Sequence, residues 1–345
     1  MDEILDEEKK SRWIRSIKTS GIPLQLKTEK IFRNREFSAY NWYWTDEANG
    51  ERKNRELDVF AHKVFNVETE FFNCELDVHA FVSCMYRKDY AYFLFEGTGP
   101  KLLQKFPIIN SPKILGTIVR LWKIEELGFF PVIVGHNIHG CEIEHLDKPT
   151  CKFSDKGIYN CSNESLACME NFYTNRVFSD TNELIDSQIP SEFRSIILDF
   201  VKEEKISRPD IEYAAHTCSI KKNKELLDIL RVRRPYIRID VGFPLVVTEG
   251  EVFKVLLNES GEPSNIEKIG YGLYLHRPES NTKWSILEHI PILPVIVTNA
   301  NYLDTCAKII ENVSNSIREE VGKRLRARNY VDILTYMLER TLKVG

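Results

Sequence analysis

Four segments of strand character follow one proline-led helix within the first hundred residues, and no other feature restricts the fold as sharply. Gly21-Ile22-Pro23 breaks a polar helical lead-in over residues 1–20, in which Ile4, Trp13, Ile14 and Ile17 form a partial apolar stripe. Pro23 suits the first turn of a new helix, where its missing N–H is one the helix leaves unused. That helix is expected over 24–35, with Leu24, Leu26, Ile31 and Phe32 toward a core. Aromatic alternation over 37–44 and a second run over 56–65 read as strands. They are joined through a turn carrying Asn49-Gly50, the pair that tolerates the positive φ of a tight hairpin. Runs at 76–86 and 90–95 read as a third and a fourth strand. A helix followed by a hairpin and two further strands predicts an α/β fold.

The remainder is less regular. Residues 113–122 and 129–134 read as strands or short buried elements, and 147–162 is polar and turn-rich, a surface excursion or subdomain edge. Helical patterns return at 165–173, 191–205 and 222–230. A second strand set follows at 236–248, 252–257, 271–275 and 292–298, with turns at Gly250 and Ser260-Gly261. Leu303, Ala307, Ile310, Val313, Ile317 and Val321 recur at helical spacing, which predicts a long helix over 301–326, and a last helix is expected over 330–342. The organisation so read is a helical lead-in (1–20), a core (21–146), a largely helical connection (147–235) and a C-terminal strand set with long terminal helices (236–345). The last region is either packed on the core or a separate lobe.

Composition narrows the functional classes. At 345 residues, 43% hydrophobic and 28% charged, the chain has ordinary globular values. Its formal net charge of -4 excludes nucleic-acid binding by bulk charge, so any such site must be a local basic patch. The longest apolar runs, 129–134 and 291–297, are too short to span a bilayer. The first ten residues, acidic then basic, contain no apolar stretch. The eight cysteines are irregularly spaced and lack a Cys-x-x-Cys pair. Together these predict a cytoplasmic protein with mostly reduced, buried thiols and no membrane partner.

The candidate chemistry lies in Arg55-Glu56-Leu57-Asp58-Val59 and in the strand Phe81-Val82-Ser83-Cys84-Met85. A metal-dependent phosphodiesterase needs carboxylates on adjacent strands to hold a hard cation, and a lysine two residues beyond the second acid. Strand alternation aims residues i and i+2 at one phosphate. Together with Gly21-Ile22-Pro23-Leu24-Gln25 and the Asn49-Gly50 hairpin, these segments resemble a family of the PD-(D/E)XK, or restriction-endonuclease-like, nucleases. The segment from Gly242-Phe243-Pro244-Leu245 to Phe253 resembles the later proline-led strand, turn and strand of that family. The resemblance covers about half the chain in patches. It implies a mixed-sheet restriction-endonuclease-like core with a second α/β region.

The chain departs from the family pattern where the chemistry would sit. Gln25 stands at the position of a helix Glu, Ser83 at that of the second acid and Met85 at that of the lysine; Asp58, with Glu56 beside it, remains. One carboxylate with neutral Ser and Gln is a poor Mg²⁺ site. A rescue would recruit Glu75 and Asp77, one strand later, with Lys63 or Lys88 as the migrated cation; the alternative is that these are solvated strand edges.

Two other clusters carry a functional and a plain reading each. His136, His139, Cys141, His145 and Cys151, with Cys161 and Cys168, contain zinc-donor types, but only His136-x-x-His139 has ligand-pair spacing. The plain reading is buried thiols and surface histidines. Arg231, Arg233, Arg234 and Tyr236 could track a phosphate backbone with an aromatic for stacking, or form a solvated linker. The basic stretches at 9–18 and 323–328 read as solvated faces, the latter complementing a helix C-terminus. No glycine-rich phosphate loop follows a strand, and no Ser or Cys has a nucleophile context.

Three functions remain open. The first is a degenerate nuclease-fold protein without resident cofactor that binds DNA, RNA or a protein partner, by analogy in a restriction or phage-defence apparatus. The second is an active nuclease using Mg²⁺ or Mn²⁺ with migrated residues. The third is a structural or self-associating module.

Overall fold

The computed structural model describes residues 7–48, 51–67, 69–96, 108–110, 134–146, 154, 156–176, 191–205, 210–234, 236–276, 293–326, 331, 334–335 and 337–339. Helix α1 (Glu7–Lys18) leads into α2 (Ile22–Arg33). The strands β1 (Ser38–Ala48), β2 (Glu51–Val67), β3 (Asn73–Met85), β4 (Tyr90–Glu96), β5 (Ile108–Asn110) and β6 (Val134–Glu142) follow, then a short 3-10 turn at Ile143–His145. Helices α3 (Lys156–Arg176), α4 (Ser191–Glu203), α5 (Ile211–Lys221) and α6 (Asn223–Arg233) precede β7 (Tyr236–Thr248) and β8 (Glu251–Leu257). The chain continues through β9 (Pro263–Ile269), β10 (Tyr271–His276), β11 (Leu293–Asn299) and α7 (Leu303–Arg326). The Asn49-Gly50 turn and the expected elements at 113–122 and 129–133 lie outside the described residues.

The α/β expectation holds, with a mixed sheet. Strands β1, β2 and β3 form an antiparallel meander, and β3 then pairs in parallel with β7 along its whole length, Asn73 opposite Tyr236 through Met85 opposite Thr248. The order continues β11, β10, β6, β4, β8, β9, with β5 antiparallel to β7. The C-terminal strand set is therefore neither a separate lobe nor a second layer. Its strands alternate with the N-terminal ones in the same sheet, β7 beside β3 and β8 beside β4. The division expected at residue 236 is not a boundary between sheets.

Each face of the sheet has its own core. On one face α2, α4, α5, α6 and α7 cover Val59, Ala61, Leu76, Val78, Ile239 and Val241. On the other, α3 covers Phe60, Phe81, Met85 and Val246, joined by Leu94 of β4, Val252 of β8 and Val297 of β11. In α2 the stripe Leu24, Thr28 and Phe32 is buried at successive turns. Leu26, expected in the core, is exposed. It lies about 200° round the helix from Leu24, because each residue turns the chain by roughly 100°. Helix α3 begins at Lys156, inside the stretch read as a surface excursion. No helix among the described residues is long and apolar enough to cross a membrane.

Candidate functional site

Asp58 owes its position to a strand irregularity. The β1–β2 register shifts between Tyr40 and Trp42. Across that break Leu57 and Phe60 both reach the α3-side core, while Val59 and Ala61 reach the opposite one. The alternation slips by one residue at Asp58, as a β-bulge produces, and the carboxylate is re-aimed along the sheet. Asp58 Oδ2 accepts the backbone N–H of Cys84 at 2.6 Å, and Gln25 Nε2 donates to the Asp58 carbonyl at 2.9 Å. Gln25, Asp58 and the Ser83–Cys84 segment thus converge from α2, β2 and β3.

A second carboxylate reaches this corner from α3. Ser83, 1% exposed, donates its hydroxyl to Glu164 Oε2 of α3 at 2.7 Å. Glu164 was not singled out in the sequence, where a lone glutamate in a polar stretch reads as a solvent-facing side chain. Its neighbours Ser162 and Ser165, both fully buried, are the available signal that this helix face lies close on the sheet. Burial pushes both carboxyls above their usual range; Glu56 adds to the push on Asp58, and Asp58 adds to that on Glu164. The hydrogen bonds from Cys84 and Ser83 act the other way, and the charge of Arg55 lowers Glu164. Two carboxylates are within what Mg²⁺ accepts, since that ion keeps several waters. The lysine position fits less well. Met85 is buried and its Sδ accepts the Tyr92 hydroxyl at 3.4 Å. Glu56 turns outward, accepting from Asn41 at 3.0 Å and Tyr43 at 2.9 Å.

The rescue through Glu75 and Asp77 fails on register. Asp77 pairs with Val64, six residues along β2 from Asp58, a separation of about 20 Å at ~3.3 Å per residue. Lys63 binds the Arg35 carbonyl (2.9 Å) and Glu311 of α7 (2.8 Å), and Lys88 pairs with Glu249 at 3.7 Å. Glu75 accepts the Tyr236 hydroxyl.

Asp77 instead belongs to a buried polar group beneath α3. The parallel register sets it directly opposite Asp240. One ligand-type atom each from Asp77, His79 and Asp240 lies within 4.8 Å of the others, and all three residues are buried. Arg238 binds Asp77 Oδ2 through its terminal nitrogen at 2.6 Å and Asp240 Oδ1 through Nε at 3.2 Å. His79 Nε2 lies 3.2 Å from Asp77 Oδ1, and His62 Nδ1 lies 3.9 Å from it. Burial works to raise Asp77, but the His79 hydrogen bond and the charges of His79, Arg238 and His62 hold it below its usual range. For Asp240 burial wins, and its carboxyl is raised.

The other candidates resolve differently. Cys141 is engaged in a disulfide, which removes the thiolate a zinc site with His136 and His139 would need. His139 packs edge-on against Phe95. Among the described residues six cysteines are free thiols, and Cys74, Cys168, Cys218 and Cys306 of these are buried. Arg231 pairs with Glu70 (2.7 Å) and Asp228 (3.1 Å), Arg233 with Glu192, and Arg234 reaches the carbonyls of Thr69 and Glu70 at 3.4 Å. All three arginines are exposed, but each is engaged within the protein. Comparison with protein-family models, with curated proteins and with solved structures returned no match.

Proposed function

We propose that this chain is a nuclease-fold protein that binds a nucleic acid without cutting it. The observation that carries the reading is the convergence of Gln25, Asp58 and Ser83 from the first helix, second strand and third strand onto one corner. Helix α2 and strands β1 to β3 come early, α3 and β7 come later with β4–β6 before α3 and α4–α6 after it, and the parallel pairing of β7 with β3 between helices on both faces supports the same assignment. Loss of cleavage follows from Met85. A buried thioether supplies no charge to the attacking water, and removal of one positioned electrostatic group costs on the order of a hundredfold or more in rate. The exposed arginines of α6 are held by solvent-facing ion pairs. Such pairs contribute little, so phosphates can displace the carboxylates.

A second reading, an active Mg²⁺- or Mn²⁺-dependent nuclease, is favoured by Glu164, which sets a second carboxylate beside Asp58. One experiment separates the two. Single- and double-stranded DNA and RNA are incubated with the protein in Mg²⁺, Mn²⁺ or chelator, and scored for binding and cutting. Salt-sensitive binding, weakened in the Arg233→Ala, Arg234→Ala double variant and without cutting, is the expected result. Cutting that chelation stops and that Asp58→Ala or Glu164→Gln removes establishes the enzyme instead. Neither binding nor cutting sinks both readings and leaves a protein partner or self-association.

A further inference from the structure

From the group beneath α3 we infer a binding site for one first-row divalent transition ion of the zinc class, ligated by Asp77, His79 and Asp240. The site is separate from the Asp58–Glu164 corner and does not rest on the nuclease-fold reading.

Three features support it. The first is donor spacing. Ligand atoms bonded to one zinc ion at ~2.0–2.2 Å stand roughly 3.3–3.6 Å apart. Asp77 Oδ1 and His79 Nε2 are already 3.2 Å apart, and one ligand atom each from Asp77, His79 and Asp240 lies within 4.8 Å of the other two. Two carboxylates with one imidazole form a mixed oxygen and nitrogen set that suits zinc better than the all-oxygen shell preferred by Mg²⁺ or Ca²⁺.

The second is the set of groups that orients the ligands. Tyr173, 2% exposed, places its hydroxyl 3.3 Å from His79 Nδ1. That contact fixes the imidazole with Nε2 toward the carboxylates, the role an outer partner plays for a metal-bound histidine. Arg238 holds Asp77 by Oδ2, so that Oδ1 is the oxygen turned to the imidazoles, and it holds Asp240 from the same side.

The third is charge. Two buried carboxylates face one guanidinium and two imidazoles; with the imidazoles neutral, the form in which histidine ligates a metal, one negative charge is left for a cation to meet. His62, about a third exposed and 3.9 Å from Asp77 Oδ1, marks the side from which an ion and its water enter, and can supply a fourth ligand.

The test titrates the chelator-treated full chain with Co²⁺, read by visible absorption and by the thermal midpoint, then displaces Co²⁺ with Zn²⁺. One equivalent should bind and raise the midpoint. Asp240→Asn and His79→Gln should each lose that binding, Tyr173→Phe should weaken it by about 10- to 100-fold, and Asp58→Asn should bind like the parent. Absence of saturation at one equivalent overturns the inference. So does undiminished binding in Asp240→Asn, or loss of binding in Asp58→Asn, which places the ion at the other corner. If the two ligand variants fail to fold, Tyr173→Phe decides, since it removes a single oxygen: affinity equal to the parent overturns the site.

Discussion

At Ser83 a single hydroxyl joins sheet to helix. Replacing it with alanine leaves Glu164 Oε2 without its donor, and Ser83→Ala should lower stability by about 1–3 kcal/mol, read from urea unfolding. A second residue sets an acid limit. His276, fully buried with Nε2 2.7 Å from Asn163 Oδ1, is pushed down to about 4 by burial. Its folded value lies below its unfolded one, so the unfolded chain takes up the proton first. Stability falls as pH drops from about 6.5 toward 4, by about 3 kcal/mol from this group. Urea midpoints between pH 7 and 4.5 should converge for His276→Gln and the parent, the parent losing more. The resemblance to the nuclease pattern marked Gln25, Asp58 and Ser83, because that pattern is carried by short local motifs. It missed Glu164 and the pairing of Asp77 with Asp240, because those depend on how distant segments register.

Helix α3 shows why an element can be misread. Its first turns carry Gly157, Asn160, Ser162 and Asn163, all weak helix formers, and the expected start fell nine residues late. Packing on β3 and β7 overrides propensity there: Ser165 donates to the Phe81 carbonyl and also accepts the Leu245 N–H at 3.2 Å. The close seat has a measurable cost. A Cβ on Gly242 of β7 would stand 2.7 Å from the Tyr173 hydroxyl oxygen and 2.9 Å from Met169 Sδ, so Gly242→Ala should destabilise by about 1–3 kcal/mol and lower the thermal midpoint. Strand β9 escaped notice for a different reason. Nearly all its residues are exposed, so it lacks the apolar runs that mark the buried strands β3 and β11. Helix α5, also unexpected, buries Ala214, Ala215 and Cys218, small residues that make a faint stripe.

For the molecule as a whole, local elements were legible and the order of strands was not, since strand order is set by partners far apart in the chain. The helix-and-meander start, the strand at 236–248 and the long helix over 303–326 all followed from local pattern. That one sheet would interleave both halves did not. A fragment ending at residue 235 therefore lacks the strand that covers one whole edge of β3. It should be unfolded or aggregated by circular dichroism and size-exclusion chromatography, whereas the complete chain should unfold as one cooperative unit.

The pairing of β3 with β7 also sets a clock. Residues 73–85 meet partners 163 positions later, so this long ladder spans nearly half the chain. Loop closure over that span delays the rewarding step, and such topologies fold slowly. At roughly 5–20 residues per second of synthesis, β3 emerges about 10–30 s before its partner exists. During that interval a run including Leu76, Val78, Ala80 and Val82, all buried in the finished protein, waits with one edge unpaired, the window in which a chaperone would be needed.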